Sequence, residues 1–75
     1  MDMELTTIQM VQDFSELAEE YDGAASNERL WALGAEDAET AQMHEENMEH
    51  ALMMAKMYRK MAEHALSLAE TYMED

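Results

Sequence analysis

Cysteine and proline are both absent from this 75-residue chain, and glycine occurs only at Gly23 and Gly34. Without Cys there is no disulfide, no thiolate metal site and no thiol nucleophile, so nothing covalent staples the fold; the lack leaves the redox compartment open and fits the cytoplasm. Basic residues are scarce. Four Lys and Arg stand against eighteen Asp and Glu, giving a formal net charge of −14 and a pI near 4.2. Such a field repels nucleic acid and anionic membranes, which excludes direct DNA or RNA binding and favours basic partners, cations or a high-salt cytoplasm. Long apolar runs are missing too: nowhere do about eighteen apolar residues follow one another, and Met1-Asp2-Met3-Glu4 has neither the basic start nor the apolar core of a leader. The expectation is a soluble, cytoplasmic protein that does not enter a membrane.

Enzymatic parts are missing as well. There is no Gly-rich phosphate loop, no Ser, His and Asp set with supporting loops, and no obvious concave pocket in which a carboxylate could be tuned toward neutrality. Neither a catalytic residue nor a cofactor is expected. At this length the chain is read as one all-helical domain, 1–75, and a monomer so short buries only about 60% of the surface its unfolded form exposes. Oligomerisation is the natural remedy.

What the chain does hold is a stretch from Ala41 to Met73 in which small and apolar residues recur every three or four positions without Gly or Pro. With Ala41 at heptad position a, the a series is Ala41, Met48, Ala55, Ala62 and Ala69, and the d series is His44, Ala51, Tyr58, Ala65 and Tyr72. Leu52, Leu66 and Met73 on one flank, and Met54, Met61 and Leu68 on the other, widen the stripe into a broad apolar face. A helix over about 36–73 follows, with Asp37 as its candidate cap.

Upstream, Met3, Ile8, Met10, Val11, Phe14, Leu17, Ala18 and Tyr21 share one side of a 3.6-residue period, opposite Gln9, Gln12, Asp13, Glu16, Glu19 and Glu20. This predicts an amphipathic helix over about 3–22, with Asp2 and Glu4 near its positive end and a stop at Asp22 or Gly23. Ala24-Ala25-Ser26-Asn27 reads as the turn. Ser26 or Asn27 would then cap a short helix over about 26–33, in which Leu30, Trp31 and Leu33 form an apolar knot before Gly34. The expected fold is all-α, a small helical bundle: a helical hairpin whose long C-terminal helix, about 54 Å against about 30 Å for the first, overhangs and is completed by a homodimer through its Ala-lined seam.

Four constellations could carry chemistry. In His44-Glu45-Glu46-Asn47-Met48-Glu49-His50, Glu46 and His50 are four apart and adjacent on the helix, a spacing at which carboxylate and imidazole could share a divalent metal. The spacing matches neither the Glu-x-x-His of di-iron helices nor the His-Glu-x-x-His of zincins, and a solvated acidic face is the plainer reading. Met43, His50, Met57 and His64 all fall at heptad position c, with Met53, Met54 and Met61 nearby; thioether and imidazole together suit Cu(I), although Met is also the adaptable residue of cores and promiscuous binding surfaces. The metal-binding alternative therefore uses His44, Glu46, His50, Met54, Met57 and His64.

The acidic residues are unevenly placed: residues 1–50 hold fourteen acids and the single base Arg29, a net of −13, while residues 51–75 net −1. Carboxylates along a rigid rod can imitate a duplex, which carries one phosphate charge per about 1.7 Å of axis; solubility or a halophilic surface is the competing reading. Lys56, Arg59 and Lys60 form a small outward basic cluster, read as partners for acids of the same or another chain.

The function read from these features is a small acidic, non-enzymatic interaction protein, an inhibitor that occupies a basic nucleic-acid-binding surface by mimicry. Its contacts would come from Glu16, Glu19, Glu20, Glu36, Asp37, Glu39, Glu45, Glu46 and Glu49. Phage or mobile-element origin would suit the role. A metal-binding helical bundle is the alternative, and a structural dimer or adaptor that docks another helix on its Met-rich edge is the third.

Overall fold

The computed structural model describes the backbone of residues 3–73 and the side chains of residues 6–71. Asp2 lies outside the described residues, as do the side chains of Met3, Glu4, Tyr72 and Met73, so their expected roles are not tested. Among the described residues there are two elements, α1 (Met3–Leu33) and α2 (Ala38–Met73), folded back on each other as an all-α hairpin with Cα extents of 59 × 14 × 13 Å.

The first helix corrects the sequence reading. No stop occurs at Asp22 or Gly23, residues 24–27 form no turn, and the segment expected as a separate short helix at 26–33 is the last part of α1. Glycine inside a helix costs about 1 kcal/mol relative to alanine, too little to break one that gains contacts on both sides. Beyond Gly23 the helix buries Ala25 and half-buries Glu28 and Ala32 against α2, whereas a chain stopped at Gly23 would lose all three. A Cβ at Gly23 would meet nothing within 4 Å, and neither glycine adopts positive φ, so no backbone strain favours glycine there.

The reversal falls at 34–37 instead. The Gly34 amide donates to the Leu30 carbonyl (3.1 Å) and the Ala35 amide to that of Ala32 (3.3 Å), which tightens the last turn of α1 and satisfies carbonyls the helix leaves open. Asp37 is the cap of α2, as the sequence suggests: its Oδ1 accepts from the Thr40 amide at 2.7 Å, and its carbonyl accepts from Ala41 at 3.1 Å. The helix proper begins at Ala38, two residues later than the expected start.

Extending α1 cuts the overhang to about 8 Å. At 1.5 Å per residue α1 is about 46 Å long and α2 about 54 Å, so α1 runs along most of its partner. The a and d seam of α2 is consequently filled from within the chain: Ala51, Ala55, Ala62, Ala65 and Ala69 are buried against α1, and Ala55 is fully inaccessible. Across from them α1 presents its own heptad, with Val11, Ala18, Ala25 and Ala32 at a, and Thr7, Phe14, Tyr21 and Glu28 at d. Alanine at a on both helices permits close approach. The rings at d then stack along the seam, Phe14 on Tyr58 at 6.1 Å and Tyr21 on Tyr58 at 5.6 Å between centroids.

One further expectation changes. Leu30, Trp31 and Leu33 make no knot: in a continuous helix Leu30 and Leu33 point away from α2 and remain 65% and 77% exposed, while Ala32 takes the inward position. Glu28 is half-buried and meets His44 Nδ1 across the seam at 2.5 Å. No described helix is long and apolar enough to cross a membrane.

Candidate functional site

In an antiparallel pair with this seam, position e of one helix flanks e of the other, and g flanks g. The hairpin therefore has two unlike sides. The e side carries the Asp22–Arg59 ion pair and a shallow 220 Å³ groove lined by Asp22, Ser26, Arg29 and Leu52 among others. On the g side lies an open apolar groove of about 390 Å³ lined by Met10, Phe14, Lys60, Met61, His64, Ala65 and Leu68.

All nine acids expected to contact a partner, Glu16, Glu19, Glu20, Glu36, Asp37, Glu39, Glu45, Glu46 and Glu49, are exposed. They do not share one surface. Glu45 at e and Glu49 at b of α2 fall on the same side as Glu19 at b of α1, beside Asp22. Glu36, Asp37 and Glu39 gather at the closed end, on the turn and the first residues of α2. Glu46 faces directly away from α1, and Glu16 and Glu20 lie on the outer and g-side surfaces of α1. The closed half of the rod nevertheless concentrates charge. Residues 19–55 hold ten acids and one base, a net of −9 of the total −14. Spread over the roughly 27 Å of residues 38–55 at 1.5 Å per residue, ten acids give about one carboxylate per 2.7 Å of rod, between the 1.7 Å per charge of a duplex and the 3.4 Å of a single strand.

One acid has a second duty. The Thr40 amide and hydroxyl, which bond to Asp37 while it caps α2, hold its carboxyl below the ordinary value of 3.8. Part of its hydrogen-bonding capacity is thus spent on the chain's own backbone. Gln42 donates to Glu46 at 3.4 Å and Gln9 to Asp13 at 2.9 Å, light tethers that leave the carboxylates facing water.

Of the six residues of the metal alternative, His50, Met54, Met57 and His64 lie along one edge of α2, Glu46 faces directly away from α1, and His44 lies in the seam. His44 sits at d in the helix seam, against Glu28 and 5.6 Å from the Trp31 ring. His50, Met57 and His64 are spaced seven residues apart, about 10.5 Å along the axis at 1.5 Å per residue, far beyond the 2.0–2.6 Å reach of shared ligation. Among the described residues no three His, Asp or Glu side chains gather as a metal site. The Glu28, His44 and Trp31 cluster escaped the sequence reading because a turn at 24–27 would have detached Glu28 from the register that brings it to His44.

The e side presents carboxylates and two guanidinium groups to solvent together with the exposed Ile8, Leu52 and Leu66, an arrangement that offers ion pairs to a basic surface with apolar contacts between them. The g side offers thioethers and apolar carbon with one imidazole and one ammonium at the groove rim, an arrangement suited to helix packing. Comparison of the chain with known protein families, with curated proteins and with solved structures gives no match.

Proposed function

We propose that this chain is a small acidic, non-enzymatic interaction protein that inhibits by occupying a basic nucleic-acid-binding surface on its partner, acting in the cytoplasm as a homodimer. The observation that carries the reading is the charge density of the closed half, set between those of single-stranded and duplex nucleic acid on a rod held straight by two helices. The e-side acids Glu19, Glu45 and Glu49, with Glu36, Asp37 and Glu39 at the closed end, make the first contacts. Glu16, Glu20 and Glu46 join where the partner wraps around the rod. Rigidity matters because carboxylates already fixed in place lose little freedom on binding.

Capture of partners from lysate on the immobilised protein tests the reading, with duplex DNA or RNA added as competitor. The mimic releases its partner to nucleic acid, loses it as salt rises, and fails to capture it when Glu19, Glu45 and Glu49 are together replaced by Lys. Capture that survives this triple replacement, or that no nucleic acid displaces, overturns the reading.

A further inference from the structure

We propose that the Met and His edge of α2 docks against the same edge of a second copy of this chain, the two α2 helices running antiparallel, to build a four-helix particle; the inference rests on the homodimer reading above and supplies its surface and register. The hairpin lacks an ordinary core. Among the described residues every buried apolar side chain is an alanine, and no large side chain is fully buried. A compact monomer of 8.6 kDa exposes about 4700 Å² by area scaling, whereas this hairpin exposes 5785 Å². The excess of about 1100 Å² is more than the roughly 800 Å² that each partner loses in a standard interface.

Part of the uncovered apolar surface lies where a second seam would run: of the twelve large apolar side chains left exposed among the described residues, Met43, Met57, Met61 and Leu68 fall at positions c and g of α2, with Met53 beside them at f. Positions g and c of α2 alternate at spacings of three and four, as a and d do, and carry Met43, His50, Met54, Met57 and Met61. Met43, Met57 and Met61 are among the large apolar side chains left exposed. This edge turns away from the e-side acids Glu45 and Glu49, so pairing here leaves them free.

Charge selects the direction and the register. Beside the edge, position f reads Glu39, Glu46, Met53, Lys60. Parallel pairing would set each of these against its own copy and oppose like charges. Antiparallel pairing centred on Met53 sets Glu46 against the second copy's Lys60, and Lys60 against its Glu46, with Met53 meeting its counterpart on the twofold axis. The same register brings Met61 within two residues, about 3 Å along the axis, of the level of the second copy's Met43, and Met54 within two residues of that of its His50. Lys60, which makes no ion pair within 4.0 Å among the described residues, thereby gains one.

The native mass of the wild-type chain and three sets of variants tests this. The wild type is expected at twice the chain mass, and because the assembled charge of both copies repels, its association strengthens as salt rises, opposite to partner capture. Met57→Asp weakens association by at least about tenfold with helix content retained by circular dichroism. Glu46→Lys and Lys60→Glu each weaken it, and the double swap restores it. Met53→Cys, the only thiol in an otherwise Cys-free chain, forms a disulfide-linked dimer on oxidation, which reads the register even if Met57→Asp fails to fold. A wild type that stays monomeric overturns the dimer itself. A dimer indifferent to Met57→Asp overturns this face, and a double swap without rescue or an uncrosslinked Met53→Cys overturns the register. Glu46 also belongs to the acids of the mimicry reading, but Met57→Asp, Lys60→Glu and Met53→Cys alter none of those acids, and native mass is read without any partner, so the outcome is separable from failure of that reading.

Discussion

Replacing Ala55 with leucine probes the feature that holds the two helices together. Ala55 is fully inaccessible and sits at position a midway along α2, where alanines on both helices allow the backbones to close in. Three additional carbons have no space there unless the helices separate, which would also loosen the stacked Phe14, Tyr58 and Tyr21 rings. Overpacking of a well-packed site costs about 1–3 kcal/mol. For 75 residues the unfolding entropy is about 0.16 kcal/mol/K, so the melting temperature should fall by roughly 6–19 °C. Thermal unfolding followed by circular dichroism at 222 nm, at one fixed protein concentration, reads this directly. Asn27→Leu, on an exposed turn of α1, serves as the control and should shift the midpoint by no more than about 3 °C. If Ala55→Leu melts at or above the wild-type temperature, leucine fits the seam, and the close alanine packing described here is wrong.

Other substitutions test separate parts of the hairpin. Gly23→Ala should stabilise by about 0.8–1 kcal/mol and raise the midpoint by about 5–6 °C, since the site is a solvent-facing helix interior; destabilisation would mean that the helix does stop there. Asp37 contributes stability that is complete above its ordinary value of 3.8 and is lost as pH falls through its lower folded value. Asp37→Asn keeps a capping side chain but removes the titration, so acid melts below pH 3.8 should diverge from wild type, whereas identical pH profiles would remove the cap from the account. Asp37→Ala should lower the melting temperature at neutral pH. Glu28→Ala leaves the half-buried His44 without its partner and should cost about 1 kcal/mol, with a change in emission from Trp31, the only tryptophan, whose ring lies 5.6 Å from His44; unchanged emission and stability would show that the pair does not form.

Periodicity made α2 legible. Its heptad assignment identified Ala51, Ala55, Ala62, Ala65 and Ala69 as seam residues, and Asp37 was recognisable as a cap because a short acceptor preceded a long run of helix formers. The first helix was not legible to the same degree, because Gly23 beside a small-residue stretch carries the local signature of a helix end, and only the register across to α2 shows why the helix continues. That one misplaced boundary moved the turn by ten residues and shortened α1 on paper. It also assigned the alanine seam to a second chain when the same chain fills it. The acids were identifiable as surface residues from charge alone, yet their division between the e side, the closed end and the outer surfaces depends on how the hairpin is wound. The Met and His edge was visible as a stripe, but its significance depends on the alanine-only core, which local sequence does not display.

Competition between duplex nucleic acid and the immobilised chain for a captured partner, measured across a salt series, tests the central claim most directly. The account predicts that nucleic acid displaces the partner, that capture weakens as salt rises, and that the Glu19, Glu45 and Glu49 replacements by Lys abolish it while helix content and native mass are unchanged. A partner held equally well by the triple variant, or retained at high salt against excess nucleic acid, would contradict it.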